Sequence, residues 1–279
     1  MSLSSALVRF LFLRSDNRRD AGLSTPEDVL RYDHLRYGPD ERWNLLDIYR
    51  PKSTDHALPV IVSVHGGGMV YGDKERYQYY CMSLVKHGFA VVNFSYRLAP
   101  EHKYPAALED TALVFSWVME HAQEYGLDPE NIFAVGDSAG AQLLGLYACR
   151  FSNRLKAIAL NCGIYRLRKK ESIGFFPDLT KDYLPGKGTE EELRQVSVSD
   201  QVTSAFPPAF VMTAEGDFLA GQALPFVQKL QNLGVQAEYH YYGDASHRLG
   251  HVFHCNIRLP EAQRCNMEEC EFFRRYIQA

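Results

Sequence analysis

The stretch FAVGDSAGAQ, residues 133–142, sets Ser138 among the small residues Gly136, Ala139 and Gly140, between an apolar run and a helical pattern. Glycine in a regular element costs about 0.5 to 1 kcal/mol against alanine, so its use here needs another reason. A G-x-S-x-G turn between a strand and a helix supplies one. The small residues let the backbone turn sharply and leave the serine hydroxyl exposed at the carboxyl edge of a sheet. A hydroxyl becomes a useful nucleophile only when a base takes its proton, so the chain must also provide a histidine and an acid to orient it. The expected chain order is serine, acid, histidine. Asp217 in VMTAEGDFLAG and His247 in YYGDASHRLGH follow in that order, each shortly after an apolar run. Glu215 is the competing acid, but its place nearer the strand end suits a turn residue.

His251 and His254 follow His247 at i+4 and i+7. On one helix face that spacing would gather three imidazoles as metal ligands. Gly250 weakens a helix there and no HExxH-type base accompanies them, so no metal is expected and His251 and His254 are assigned supporting or structural roles. The remaining requirement is a set of donors for the oxyanion. In VSVHGGGMVYG, Gly66, Gly67 and Gly68 form a loop free of side chains directly after a strand. Its N–H groups, with that of Ala139, can converge on one oxygen. The same loop lacks the lysine of a Walker motif and the G-x-G-x-x-G pattern, which argues against phosphate binding and leaves no cofactor implied.

These residues need a frame, and the chain provides one. From residue 59 onward, short β-rich runs alternate with helical patterns, the mark of a parallel sheet with helices on both faces. The runs PVIVSVH, FAVVNFSY, NIFAVGD, LKAIALN, AFVMTAE and AEYHYYG are expected as strands, mostly apolar throughout as strands buried on both faces are. Helices are expected near 73–87, 104–124, 139–152, 221–233 and 260–277. In the second of these, Leu108, Ala112, Phe115 and Met119 have the spacing of one helix face. HLRYGP and NLLDIYRP ahead of this block read as antiparallel strands. Two segments stand outside the repeat: a helical N-terminus, and residues 163–206, too long for a plain connection. Phe175, Phe176 and Tyr183 in the latter point to a small ordered lid.

A length of 279 residues with 46% hydrophobic and 23% charged residues suits one large domain. The net charge of -4 gives no electrostatic footprint for nucleic acid or an anionic membrane. A small molecule is the expected partner, and a homodimer is compatible with everything read here. Cys81, Cys149, Cys162, Cys255, Cys265 and Cys270 include no C-x-x-C pair and are expected as free thiols in the core. Arg9 interrupts the apolar stretch at the N-terminus and no small-residue cleavage site follows, so the chain reads as cytoplasmic.

Taken together, LDIYRP, HGGGMVYGD, YRLAPEHKYPAALED, GDSAG and AEGDFLAGQ resemble the hormone-sensitive-lipase-like esterases of the α/β-hydrolase fold, from about residue 43 to the end. The resemblance implies a mostly parallel central sheet with helices on both faces and a small cap or lid. Ser138, Asp217 and His247 then match the catalytic triad, and Gly67, Gly68 and Ala139 the oxyanion donors. Arg97, Glu101 and Asp110 fall in matched motifs and are assigned to holding loops beneath the site. Many members follow the catalytic histidine with Gly-Phe, whereas Arg248 and Leu249 follow His247, and GHVFHCN comes after. The expectation is a single domain over 1–279, with residues 1–40 as an N-terminal cap and 163–206 as a lid insertion. The activity implied is hydrolysis of short-chain esters, acetyl first and on sugars among others, through an acyl-enzyme. A serine peptidase of this fold and a non-catalytic small-molecule receptor are the alternatives.

Overall fold

A computed structural model describes residues 2–151, 154–168 and 179–278. Eight strands form one sheet: β1 (Val29–Arg36), β2 (Leu45–Pro51), β3 (Leu58–Val64), β4 (Ala90–Phe94), β5 (Leu127–Asp137), β6 (Ala157–Asn161), β7 (Ala209–Ala214) and β8 (Ala237–Tyr242). Their order is β1-β2-β4-β3-β5-β6-β7-β8. β1 and β2 pair antiparallel, as do β2 and β4, and every later pairing is parallel. The first strand begins earlier than HLRYGP suggested: Val29 pairs with Pro51, and the strand ends at Arg36.

The helices of the described residues are α1 (Leu3–Asp20), α2 (Lys74–Val85), α3 (Ala106–Tyr125), α4 (Ala139–Phe151), α5 (Leu179–Tyr183), α6 (Glu190–Gln195), α7 (Val198–Gln201), α8 (Ala223–Asn232) and α9 (Pro260–Arg274). Strand alternation sorts the core into two layers. Val60, Val62, Val64, Ala134 and Leu160 pack with α3 and α4. Ile61, Val91, Phe133, Val135 and Phe210 pack with α2 and α9. Both sides of the central strands are therefore dry, which is why their sequences are unbroken apolar runs. Local signals set the ends of the helices: Asp73 caps α2 by accepting from the Arg76 N–H at 2.9 Å, and Gly126 closes α3 with φ 62. The buried face of α3 runs through Leu108, Thr111, Phe115 and Val118, while Met119 is exposed and Ala112 half-buried. The apolar stripe is thus one residue out of the expected step at two positions.

α1 lies over the carboxyl edge of the sheet. Its first turn is tied to α5, where Asp182 accepts from the Ser2 N–H at 2.8 Å and the Ser5 hydroxyl at 2.5 Å. Further along, Arg9 pairs with Glu101 at 2.9 Å, and Tyr71 donates to Asp16 at 2.8 Å. Within the segment 1–40, residues 3–20 make this cover and residues 29–36 instead form the sheet edge. In the segment 163–206, Phe175 and Phe176 lie outside the described residues, while residues 179–201 carry α5, α6 and α7. The six cysteines are free, and all but the half-buried Cys149 are buried. No helix of the described residues is long and apolar enough to cross a membrane.

Candidate active site

β5 ends at Asp137, and the chain turns into α4 through Ser138, whose φ of 55 lies in the left-handed region. The Ser138 N–H is held by the Asn161 carbonyl at the end of β6, 2.8 Å away. Gly140 is required by close approach: a Cβ there would lie 2.0 Å from the Val64 carbonyl oxygen, where α4 begins against the end of β3. The turn leaves Ser138 only 8% exposed, with its hydroxyl facing one ring nitrogen: His251 Nε2, at 2.9 Å. His251 Nδ1 meets Asp217 Oδ1 at 2.7 Å. Asp217 in turn accepts from the Thr213 hydroxyl at 2.6 Å and the Leu219 N–H at 2.9 Å. Burial pushes this carboxyl up, but the bonds from His251, Thr213 and Leu219 outweigh it and hold the group below the usual carboxylate range. Asp217 is an anion aimed at an imidazole.

The structure brings Ser138 and Asp217 together but does not bring His247 to them. After β8 the chain makes a tight turn in which the His247 N–H donates to the Asp244 side chain at 2.9 Å. The His247 ring, 61% exposed, points away to Glu261 at the start of α9, 2.9 Å distant. The chain regains the sheet edge only at Gly250, which bridges in parallel to Gly216. That bridge sets the next residues, His251 and Asp217, side by side. The three imidazoles do not share a face: His247, His251 and His254 bond to three different carboxylates, Glu261, Asp217 and Asp137. Glu215 accepts from the Tyr241 hydroxyl instead of meeting a histidine. A signal for His251 was present in the sequence. Val252 has φ 50, a conformation that favours glycine, and Phe253 follows, so His251-Val252-Phe253 stands where the Gly-Phe pattern after the histidine belongs.

Gly66 is already engaged, its N–H donating to the Tyr77 hydroxyl at 3.0 Å. The next two glycines turn with φ 120 and 63, and a Cβ on Gly67 would lie 2.0 Å from the Tyr71 carbonyl oxygen. Among the described residues, no hydrogen bond engages the N–H of Gly67, Gly68 or Ala139. His65 supports the loop: burial lowers its pKa to about 4, so it stays neutral, stacked on Tyr96 with centroids 4.0 Å apart. Arg97 and Asp110 brace the neighbouring loop through a 2.8 Å ion pair.

Two spaces adjoin these groups. A cavity of about 160 Å³ contains Ser138 and His251 and is walled by Phe12, Asp16 and Arg19 of α1 with Tyr71, Tyr77 and Phe218. A second space of about 20 Å³ is lined by Gly68 and Ala139 together with Met69, Gln142, Ile164, Leu179 and Tyr183 among others. A larger surface hollow of about 510 Å³ near Arg166 and Lys229 holds none of the three residues. Asp16 and Arg19, on the covering helix α1, belong to no motif that marks them as lining residues.

Residues 61–251 match the family described as alpha/beta hydrolase fold. An acetyl esterase of Salmonella schwarzengrund is 30% identical over 223 residues, covering 73% of this chain and 68% of that protein. Among solved structures, esterase B from Lactobacillus rhamnosis superposes with a TM-score of 0.87 at 24% identity, covering 98% of this chain and 95% of that one. An esterase from Pyrobaculum calidifontis gives 0.81 at 26% identity, covering 99% and 94%.

Proposed function

Because the chain belongs to the alpha/beta hydrolase family and is a carboxylic-ester hydrolase, we propose that it cleaves short acyl esters, acetyl first, through an acyl-enzyme on Ser138. The observation that carries this reading is the His251 imidazole held between the Ser138 hydroxyl at 2.9 Å and the Asp217 carboxylate at 2.7 Å. As Ser138 Oγ attacks the ester carbonyl, its proton passes to His251 Nε2. Asp217 fixes the tautomer and supports the imidazolium that forms. The carbonyl oxygen, now an anion, is received by the N–H groups of Gly67, Gly68 and Ala139, each worth about a hundred- to thousandfold in rate. Collapse of the tetrahedral adduct breaks the ester bond, and His251 gives its proton to the departing alkoxide. Water then repeats the sequence: His251 takes one of its protons as the oxygen attacks the acyl carbon, the bond to Ser138 Oγ breaks, His251 returns that proton to Ser138, and the carboxylic acid leaves and ionises in solvent.

The two spaces suit the two halves of the substrate. His251 must protonate the alcohol, so the alcohol occupies the cavity that His251 lines. The acyl group then enters the smaller space. A volume of about 20 Å³ exceeds by little the roughly 10 to 15 Å³ that admits one water-sized probe, which matches a methyl group and little more. Asp16, Arg19 and the Tyr71 hydroxyl around the alcohol cavity support a hydroxyl-bearing alcohol such as a sugar. The test is hydrolysis of p-nitrophenyl esters from acetate to decanoate by the parent and Ser138→Ala, followed by acetylated sugars. Activity that peaks at acetate and disappears in the variant is expected. Equal activity in Ser138→Ala, or a peak at eight carbons or more, refutes the reading.

A further inference from the structure

Behind the Ser138 turn, on the layer that α2 and α9 cover, lies a group of polar residues cut off from water. Asp137, Asn161, His254 and Glu269 are all 0% exposed. Asp137 Oδ1 meets His254 Nε2 at 2.8 Å. Asn161 donates to Glu269 Oε2 at 2.8 Å, and the Tyr80 hydroxyl donates to Glu269 Oε1 at 3.1 Å. The Tyr80 ring stands edge-on to His254 with centroids 5.0 Å apart, and Asn266 donates to the His254 carbonyl at 3.2 Å. Burial works against the imidazolium of His254, but the neighbouring Cys255 sulfur and the Asp137 carboxylate prevail and carry its pKa well above the ordinary value.

The placement of this pair in the chain gives it a meaning. Asp137 immediately precedes Ser138, and His254 comes one turn after His251. A single buried ion pair therefore fastens the turn that carries the hydroxyl to the turn that carries the imidazole. Both turns need an external hold, since Ser138 and Val252 have φ of 55 and 50. Residues in such conformations persist only where their surroundings over-determine them. Stability alone is a poor reason for the pair, because well-packed apolar residues are often as stabilising as a buried ion pair or more so.

We propose that the Asp137–His254 pair is a clasp that sets the Ser138–His251 distance, which makes both positioning residues for the hydrolysis. The inference rests on the reading of Ser138 as nucleophile and His251 as base. Asn161 extends the clasp: its carbonyl holds the Ser138 N–H while its side chain reaches Glu269 on α9.

The test compares His254→Leu, His254→Gln and Asp137→Asn, with turnover expressed per site titrated by an organophosphonate. A misplacement of about 1 Å can cost about a hundredfold, so kcat of His254→Leu is expected to fall by about that factor with KM within about twofold of the parent. The two conservative variants keep a hydrogen bond in place of the ion pair and are expected to recover most of the loss, to within about tenfold of the parent. If the leucine variant does not fold, these two still decide, since each must fall by about threefold or more in kcat alone. Parental kcat per titrated site in the folded variants, with only the melting temperature lowered, overturns the clasp. Full activity of Ser138→Ala, or no phosphonate on Ser138 of the parent, would instead sink the underlying reading of the site.

Discussion

Two histidines four residues apart in the chain are assigned opposite fates, and alanine substitutions separate them. His251→Ala removes the ring that, among the described residues, stands 2.9 Å from the Ser138 hydroxyl, so the proton of the attacking serine loses its acceptor. Positioned general bases contribute about a hundred- to ten-thousandfold, and kcat on p-nitrophenyl acetate should fall by that range or more. KM should change little, because the ring contributes a small part of the cavity wall. His247→Ala removes a side chain 61% exposed whose partner is Glu261, 2.9 Å away. An exposed ion pair of this kind is worth at most about 1 kcal/mol. A surface change away from the site is usually within about 0.5 kcal/mol, so kcat/KM should stay within about twofold. Both proteins are to be compared after circular dichroism has shown the same fold. An active His251→Ala beside an inactive His247→Ala would refute the argument from the Gly216–Gly250 bridge.

Other consequences follow from single side chains. Leu179 closes the acyl space over Gly68, where an added Cβ would stand 3.1 Å from Leu179 Cδ1; Leu179→Ala should raise the butyrate-to-acetate ratio of kcat/KM by about tenfold, roughly the value of one or two accommodated methylenes, as an ester series will show. Burial pushes the Glu269 pKa up to about 7 against the bonds from Asn161 and Tyr80. The folded state therefore keeps a proton on Glu269 that the unfolded chain releases near 4.5, so the contribution of this group to stability falls as pH rises from about 4.5 to 7, by roughly 3 kcal/mol. Urea unfolding should show the stability of the parent relative to Glu269→Gln falling across this range, since His65, neutral in the fold, moves both proteins alike. Gly140→Ala drives a Cβ to 2.0 Å from the Val64 carbonyl oxygen, and a loss of about 3 kcal/mol or more is expected, read as a lower denaturation midpoint.

Legibility followed the range of the interactions involved. The central strands and the helices between them were readable because a strand dry on both faces has to be an apolar run, and the turn at Ser138 was readable because its glycines have no use in a regular element. Asp217, which the structure sets beside His251, lies within three residues of the end of β7 and so within reach of the same reading. The histidine could not be placed by the same rule. The turn from Asp244 to His247 delays the return of the chain to the sheet edge until Gly250, and nothing in the order serine, acid, histidine states how long such a detour is. The better guide was conformational: a left-handed residue is needed after the base, and Val252 occupies that place without the glycine that would have advertised it.

Which side chains of the N-terminal cap reach the cavity was hidden for a related reason. Asp16 and Arg19 wall the cavity beside His251 because Asp182 and Glu101 pin α1 across the sheet edge, and those partners come from segments far along the chain. Glu269 is more instructive. It sits on a helix whose other buried residues include Ala262, Cys265, Phe272 and Phe273, and by its type it would be assigned to the exposed face. It is buried because Asn161 and Tyr80 both turn donors toward it, beside an imidazolium whose charge opposes its own. A fully buried acid is tolerated only where such partners exist, so a carboxylate on the dry face of a helix is itself a pointer to a polar group across the interface. Here that group ends at Asp137, and the cost of burying it falls beside the turn that carries the Ser138 hydroxyl to His251.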